Sequence, residues 1–157
     1  AVDFCAEHFN ASPHLSSVNF DNVAFDHGFD LIWSGSLMTH INEARASRMF
    51  DLLARSLNDG GIAIWTIHGR HTEQYFKSGK WPYKISAEAF GGIVEEYRND
   101  RHGYTDYPHM KGYGISITPL RWLSDQIRRH DDVRLISFIE RGWDEHQDVV
   151  AIMKRPI

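Results

Sequence analysis

The sequence predicts an α/β fold, built on a mostly parallel sheet that ends in an antiparallel hairpin. Two apolar runs, 29–33 and 62–67, are typical of buried strands, and they flank an amphipathic helical segment, 42–57. A strand, a helix and a second strand in this order form the crossover unit that joins parallel strands. The last two strand-like runs, 133–140 and 149–154, are too close in sequence for a crossover helix, so we expect them to pair antiparallel.

The composition favours one folded domain over residues 1–157. Hydrophobic residues make up 42% of the chain and aromatic residues 13%, which is too apolar for a disordered protein. No apolar run approaches the roughly 20 residues that span a bilayer, so we expect no membrane partner. The net charge of −4 argues against a nucleic acid partner. The single cysteine, Cys5, cannot form an internal disulfide, which predicts a cytoplasmic setting.

Local signals predict the elements of the first half. An opening amphipathic helix ends near Asn10, and a short strand is expected over 14–18 before a loop. Asn42 caps the first long helix, because its side chain can accept from a free backbone N–H. The turn 59–61, Asp-Gly-Gly, ends that helix through left-handed glycine geometry. The region 68–84 is polar and aromatic and is predicted as mostly loop.

The second half is predicted with fewer strong signals. A helix is expected over 86–97, and the Tyr-, His- and Gly-rich stretch 99–114 is predicted as a loop. Thr118 and Pro119 predict a helix start, because threonine caps and proline suits the first turn. Taken together, 68–117 is expected to be an irregular insert within the single domain.

Three segments share their order and spacing with one known family. They are residues 29–37, FDLIWSGSL, residues 52–66, LLARSLNDGGIAIWT, and the terminal strand pair that includes 147–150, QDVV. These segments resemble parts of the Rossmann-like (class I) methyltransferases. The first resembles the fourth strand of that family, and the second resembles the helix, Gly-Gly turn and fifth strand that follow. The third resembles the last two strands. The resemblance covers about Phe29 to Lys154. It implies a Rossmann-like fold and methyl transfer from S-adenosyl-L-methionine to a small-molecule or sugar-linked acceptor.

The Gly-rich loop that follows the first strand in this family has no counterpart here, because no GxGxG motif occurs in the chain. The resemblance therefore predicts a truncated domain, with the first two strands and their loop upstream of Ala1. It also predicts that these residues alone bind the cofactor very weakly. An incomplete sheet leaves exposed strand edges, so we expect a homodimer that pairs through them.

Candidate cofactor contacts follow from the sheet. Ligands of open α/β sheets bind beyond the carboxyl ends of the strands. This rule and the resemblance together predict that Ser34, Gly35 and Ser36 face the cofactor, and the alternative is a tight turn that binds nothing. Asp21 and Asn22 follow the expected third strand, where the family contacts adenine, and the alternative for them is a solvated loop.

Candidate catalytic and acceptor residues lie further along the chain. A methyl acceptor that must lose a proton needs a base, and histidine titrates near neutrality. His40 and His68 come after the two buried strands and are the candidate bases, with a structural role as the alternative for each. The candidate acceptor-binding residues are Tyr107, Tyr113, Trp143, His146 and Gln147.

Two other functions stay open at this point. One is a methyltransferase-like module without activity that binds a partner or oligomerises. The other is a metal-assisted hydrolase that uses His109, His146 and Asp148, since histidine and carboxylate are suitable ligands for zinc. The chain has no HExxH or CxxC spacing, and we predict no metal site.

Overall fold

A computed structural model describes residues 2–79 and 84–156. The helices and strands of this described part are α1 (Val2–Phe9), β1 (Phe29–Ser34), α2 (Glu43–Arg55), β2 (Leu57–Ile67), α3 (Arg70–Lys77), α4 (Ala87–Arg98), β3 (Gly103–Tyr107), β4 (Met110–Ile117), α5 (Leu120–Arg128), β5 (Val133–Trp143) and β6 (Gln147–Lys154). Two short 3-10 turns add Phe20–Asn22 and Met38–His40. Within the described residues, no helix has the length and apolar character needed to cross a membrane.

The main sheet has four strands in the order β1-β2-β6-β5. β1 and β2 are parallel and are joined through α2, as the strand–helix–strand pattern predicts. β6 is antiparallel to both of its neighbours. Three strands therefore run in one direction and β6 runs against them, which confirms the α/β fold with its mostly parallel sheet and terminal antiparallel hairpin.

One face of this sheet is packed by α2 and α5. Asn42 caps α2, and its side chain accepts from the backbone N–H of Arg45 at 3.1 Å. The apolar stripe of α2 is buried against the sheet, and Phe50 meets Trp65 edge to face with ring centroids 5.7 Å apart. Trp122 of α5 belongs to the same core. Burial of this stripe holds β1 and β2 in the register that positions their carboxyl ends.

α2 ends earlier than the turn 59–61. The helix stops at Arg55, and the Asp-Gly-Gly turn lies inside β2 instead. The pairing of β1 with β2 is irregular between Phe29 and Leu31, and Gly60 has a φ of 77° at this irregularity. Glycine is needed there because left-handed backbone is unfavourable for other residues. The prediction that this turn ends α2 was wrong, because the left-handed glycine lies at an irregularity within β2.

The other face of the sheet is accessible. The apolar run of β1 was expected to be buried on both faces, but Leu31 is 62% exposed and Trp33 is 47% exposed. Ile139 and Trp143 of β5 are similarly exposed. The expectation of two-sided burial was wrong because no second layer of the described residues covers Leu31 and Trp33 on this face.

The described residues of the stretch 68–117 lie mostly in helices and strands, contrary to the expected irregular insert. Residues 70–77 form α3, whose inward side chains Thr72, Glu73 and Phe76 are buried; residues 80–83 lie outside the described part. The helix was missed because only one of its buried residues is a large apolar one. α4 agrees with the predicted helix, and Ser86 caps it.

The predicted loop 99–114 is largely the β3–β4 hairpin. Gly114 allows the strands to approach, because a Cβ built there would lie 1.9 Å from the Thr105 carbonyl oxygen. The hairpin, α3 and α4 share a second apolar cluster, which consists of Phe76, Ile93, Val94, Ile115 and Ile117. The loop prediction was wrong because the dense glycines and tyrosines serve strand pairing.

Two further local predictions are corrected. Residues 14–18 form no strand, and Leu15 and Val18 are exposed. At the start of α5, Pro119 takes the cap position, while the Thr118 hydroxyl lies 3.1 Å from Nδ1 of the buried His102. A buried imidazole requires a polar partner, and the Thr118 hydroxyl serves as that partner instead of capping α5.

Candidate functional site

The turn after β1 is held by a closed ring of hydrogen bonds. The backbone N–H of Ser36 donates to Thr66 Oγ1 at 2.7 Å, and Thr66 Oγ1 donates to Gln147 Oε1 at 2.5 Å. Gln147 Nε2 then donates back to Ser36 Oγ at 2.9 Å. The ring links the carboxyl ends of β1 and β2 to the start of β6, so the Ser-Gly-Ser turn is fixed to three strands.

Thr39 completes the polar contacts of Ser36. Its hydroxyl donates to the Ser36 carbonyl at 3.1 Å and lies 3.3 Å from Ser36 Oγ. Thr39, Thr66 and Gln147 are all buried. The side chains of Ser36 and Gln147 therefore have protein partners, while the neighbouring Gly35 is exposed. The group of this turn that a ligand can reach is therefore the backbone of Gly35.

His40 lies under the β3–β4 hairpin. Its Nδ1 is 2.8 Å from the carbonyl oxygen of Gly114, and a carbonyl only accepts, so Nδ1 carries the proton. In the neutral ring the lone pair is then on Nε2. The ring stacks on Tyr113, with centroids 4.8 Å apart, and the Tyr107 hydroxyl is 3.2 Å from Nδ1. The structure thus brings together three residues that the sequence singled out separately.

His68 is enclosed at the end of β2. It is fully buried, and its Nδ1 donates to the Ser116 carbonyl at 3.0 Å. Burial, with a smaller contribution from the nearby His146, lowers the pKa of His68 to about 3. The imidazole is therefore neutral at physiological pH. Its complete burial favours the structural role over contact with an acceptor.

His146 lies among aromatic rings at the start of β6. Its ring centroid is 5.1 Å from that of His68, 6.1 Å from His71 and 6.1 Å from Tyr75. Burial lowers the pKa of His146, and the neighbouring His71 lowers it as well. The sequence-based prediction missed His71 and Tyr75. Their spacing of four residues on one helical face was the available signal, which the loop assignment for 68–84 obscured.

Trp143 contacts a residue that was not predicted. Its indole packs on that of Trp33, with ring centroids 4.9 Å apart and planes 46° apart. The contact joins the tip of the β5–β6 hairpin to the end of β1. Trp33 was missed because the apolar run 29–33 was interpreted only as buried core.

Asp21 and Asn22 lie in a 3-10 turn against α2, and residues 2–20, the described part before them, contain no strand. Asn19 caps this turn by accepting from the Asp21 backbone N–H at 3.2 Å. Asp21 is 3.6 Å from Arg48 in an ion pair that is about half exposed. This arrangement is that of a solvated loop, and the role of the two residues in adenine contact stays a prediction.

The metal-assisted hydrolase gains no support from the described residues. No three His, Cys, Asp or Glu side chains among them are arranged to hold a metal ion. His109 is at the β3–β4 turn with a φ of 67°. Asp148 accepts from the backbone N–H of Arg141 at 2.9 Å and lies against Gly69, where an added Cβ would be 2.0 Å from its carboxylate.

Known proteins were compared by sequence and by structure. Neither the protein-family models nor the curated proteins gave a significant match. Among solved structures, an S-adenosylmethionine-dependent methyltransferase from Clostridium acetobutylicum matches with a TM-score of 0.59 and 11% identity, over 99% of this chain and 70% of that one.

Two other solved structures are longer proteins. The methyltransferase SibL, also described as S-adenosylmethionine-dependent, has a TM-score of 0.54 and 13% identity, over 99% of this chain and 39% of its own. LepI in complex with S-adenosylmethionine has a TM-score of 0.50 and 6% identity, over 87% of this chain and 29% of its own. The chain therefore spans well under half of these two relatives. At such low identities the likeness concerns architecture: the chain has the fold of the S-adenosylmethionine-dependent methyltransferases.

Proposed function

We propose that the chain belongs to the catalytic domain of an S-adenosyl-L-methionine-dependent methyltransferase that acts on a small molecule. The observation that carries the proposal is the turn 34–36, held by Thr66 and Gln147 at the carboxyl ends of two parallel strands. A fixed turn in this position is where open α/β sheets bind their ligands. The solved relatives that share the fold support this choice of cofactor.

The turn suits one side of such a cofactor. Gly35 is exposed and has no side chain, so a ligand can approach the backbone of Ser34 and Gly35 closely. Ser36 would act by holding the turn, because its hydroxyl is already used within the ring. The 157 residues contain no GxGxG motif, so we expect them to provide only part of the cofactor's contacts. Asp21 and Asn22 stay as proposed adenine contacts.

S-adenosyl-L-methionine, when bound, supplies a methyl group carried on a positively charged sulfur. The residues of this chain then have to orient the acceptor and accept its proton. His40 suits the second task better than His68, because the Gly114 carbonyl holds the proton of His40 on Nδ1 and leaves Nε2 as the acceptor. His68 would instead support the wall of the site.

The proposed acceptor surface is aromatic. Tyr107 and Tyr113 adjoin His40, and His146 lies with His71 and Tyr75 at the start of β6. These rings favour a planar or sugar-linked small molecule that carries a hydroxyl or amine. Trp143 would border the same region from the hairpin tip, and Gln147 would contribute by holding the turn.

The test is a titration of the isotope-labelled chain with S-adenosylhomocysteine, followed by NMR. We expect amide shifts at Ser34–Ser36 with millimolar affinity. Gly35→Val should remove them, because a side chain there meets the Trp33 ring at 3.2 Å and covers the backbone. Gly91→Val is the matched control, since an added Cβ at Gly91 meets nothing within 4 Å. Unchanged spectra at millimolar ligand would refute the proposed cofactor site, whereas micromolar affinity would refute the expectation of weak binding.

A binding module without activity is the second candidate. The two candidates differ in whether a bound cofactor transfers its methyl group. Transfer of a labelled methyl group to any small aromatic alcohol or amine supports the enzyme. Shifts at the turn without transfer to a panel of such acceptors support the module.

A further inference from the structure

We propose that a cavity beside the β5–β6 hairpin binds a small organic amine, whose ammonium group pairs with the carboxylate of Asp148. This proposal is independent of the proposed function, because none of the residues assigned there to the cofactor or the acceptor lines the cavity. It gives the chain a second ligand site, selective for a cation.

The first observation is the cavity itself, which has a volume of about 460 Å³. Its lining comes from the start of α3, the end of α4, the start of α5 and the strands β5 and β6. None of the described residues of β1 or α2 lines it. The cavity is therefore enclosed by elements at the β5 end of the sheet, and a ligand of ordinary size fits within it.

The cavity and the candidate cofactor turn use opposite faces of β6. Neighbouring residues of a strand point to opposite faces, and Gln147 and Asp148 are such neighbours. The side chain of Gln147 bonds to Ser36 of the turn. Asp148 shares its face with Val150, which is part of the core that contains Trp122 of α5. The carboxylate of Asp148 thus lies on the α5 face, away from the bonds that fix the turn.

The second observation is the incomplete set of partners of Asp148. The residue is 1% exposed, and among the described residues its one hydrogen bond runs from the backbone N–H of Arg141 to Oδ1. Gly69 leaves Oδ2 uncovered, because a Cβ there would lie 2.0 Å from that oxygen. Burial raises the pKa of Asp148, which reflects the cost of a charge held away from water. A cation in the cavity would offset this cost.

The arginines that line the cavity are already paired with other acids. The pairs are Arg70 with Glu140 at 2.6 Å, Arg98 with Glu73 at 2.8 Å, and Arg121 with Asp125 at 3.2 Å. Within residues 2–79 and 84–156, no Lys or Arg side chain forms an ion pair with Asp148 or with Asp100, which also lines the cavity. The unpaired charge of the cavity is therefore negative, and it favours a cation over an anion.

The remaining walls fit the organic part of an amine. The half-buried rings of Tyr97 and Phe138 line the cavity, and an ammonium group is attracted to the face of such a ring. Pro119 and Leu120 add apolar surface for carbon atoms. A metal ion fits less well, because no three His, Cys, Asp or Glu side chains of the described part are placed to hold one. The lining thus favours an organic cation.

The experiment titrates the isotope-labelled chain at neutral pH with benzylamine, benzyl alcohol and benzoate, followed by NMR. The three probes share one ring and differ in charge, being a cation, a neutral molecule and an anion. We expect benzylamine to shift the amides of Gly69, Leu120 and Arg141, and the other two probes to bind at least about tenfold more weakly. Equal binding of the three probes, tighter binding of benzoate, or no benzylamine shifts at the cavity would overturn the proposal.

Substitution of Asp148 tests the carboxylate itself. Asp148→Asn keeps an oxygen for the Arg141 N–H and removes the charge, so the affinity for benzylamine should fall to that for benzyl alcohol. Asp132→Asn is the matched control, because Asp132 pairs with Lys154 and does not line the cavity. Circular dichroism checks the folding of both variants. Unchanged benzylamine affinity in folded Asp148→Asn, or an equal loss in the control, would overturn the proposal.

A second variant leaves the carboxylate in place. Tyr97→Leu removes an aromatic wall, so it should weaken benzylamine more than benzyl alcohol. An equal loss for both probes would mean that the ring does not contact the ammonium group and would contradict this part of the site. Neither Asp148→Asn nor Tyr97→Leu should alter the shifts that S-adenosylhomocysteine causes at 34–36, so the two ligand sites are tested separately.

Discussion

The imidazole of His68 meets that of His146 edge to face, with ring centroids 5.1 Å apart. The contact joins the end of β2 to the start of β6 and places a fully buried ring beside a half-buried one. Both rings have lowered pKa values, chiefly through burial. The stability of this part of the sheet therefore depends on both histidines being neutral.

The first prediction concerns acid stability. The pKa of His68 is about 3 in the folded chain against an ordinary value of 6.5. Between these values the unfolded chain binds a proton that the folded chain does not, so the free energy of unfolding falls as the pH drops below 6.5. One such group contributes at most about 1.4 kcal/mol per pH unit. Urea unfolding at pH 7, 6 and 5 measures the slope.

His68→Asn provides the comparison, because its amide can still donate towards Ser116. The slope of stability against pH should be smaller in this variant. His102 has a pKa lowered to about 4 by burial and keeps part of the acid sensitivity. An identical slope in the variant and the unchanged chain would contradict the assignment of this effect to His68.

The second prediction concerns the ring of hydrogen bonds. Gln147→Met keeps the size of the side chain but removes the partner of Thr66 and Ser36, so buried polar atoms lose their contacts. We expect a loss of about 1–3 kcal/mol in the free energy of unfolding. Gln74→Met, on the exposed side of α3, should change it by less than about 0.5 kcal/mol.

NMR separates local from general effects of Gln147→Met. Amide shifts should be concentrated at Ser36 and Gly35, because the bond to Ser36 Oγ holds their turn. Shifts spread evenly over the sheet, with the turn unaffected, would count against the ring as the element that fixes it.

Much of the fold follows from patterns that report burial. Phe50 belongs to an apolar pattern with helical spacing, and Trp65 belongs to a continuous apolar run typical of a strand. Both patterns indicate burial, and the two rings do meet in the core. The strand–helix–strand unit was therefore predictable. The exposure of Trp33 was not, because an apolar residue in a strand does not reveal whether a second layer covers it. The β3–β4 hairpin was missed for a related reason, since Gly114 serves close strand approach and also resembles a loop residue.

The candidate site was predictable in position more than in role. The carboxyl-end rule selected Ser36, whereas Gln147 was a separate candidate for acceptor binding, and the sequence does not indicate that the two residues bond to each other. His68 was selected by the same rule, and only its surroundings reveal that it is enclosed. Roles depend on partners from distant segments, such as the Ser116 carbonyl.

The third prediction concerns the proton position on three histidines. His40 and His68 donate through Nδ1 to the carbonyls of Gly114 and Ser116. His102 instead donates through Nε2, to the Ile41 carbonyl at 3.0 Å. Nitrogen-15 spectra of the imidazoles at about pH 7.5 should therefore show Nδ1–H for the first two and Nε2–H for His102. An Nε2–H form of His40 would contradict the proposed proton acceptor, because Nε2 would then have no lone pair to offer.

The fourth prediction concerns the glycine that brings the hairpin over His40. A Cβ at Gly114 would lie 1.9 Å from the Thr105 carbonyl oxygen, and backbone on both strands prevents an easy adjustment. We expect Gly114→Ala to lower the free energy of unfolding by at least about 2 kcal/mol, as overpacking does elsewhere. Gly91→Ala should raise it by about 0.5–1 kcal/mol, because Gly91 is in α4 with open space around it. If the two substitutions changed the free energy of unfolding equally, the close approach of β3 and β4 at Gly114 would not be what stabilises the hairpin. Since the Gly114 carbonyl accepts from His40, the first variant should also alter the His40 ring signals, and the second should not.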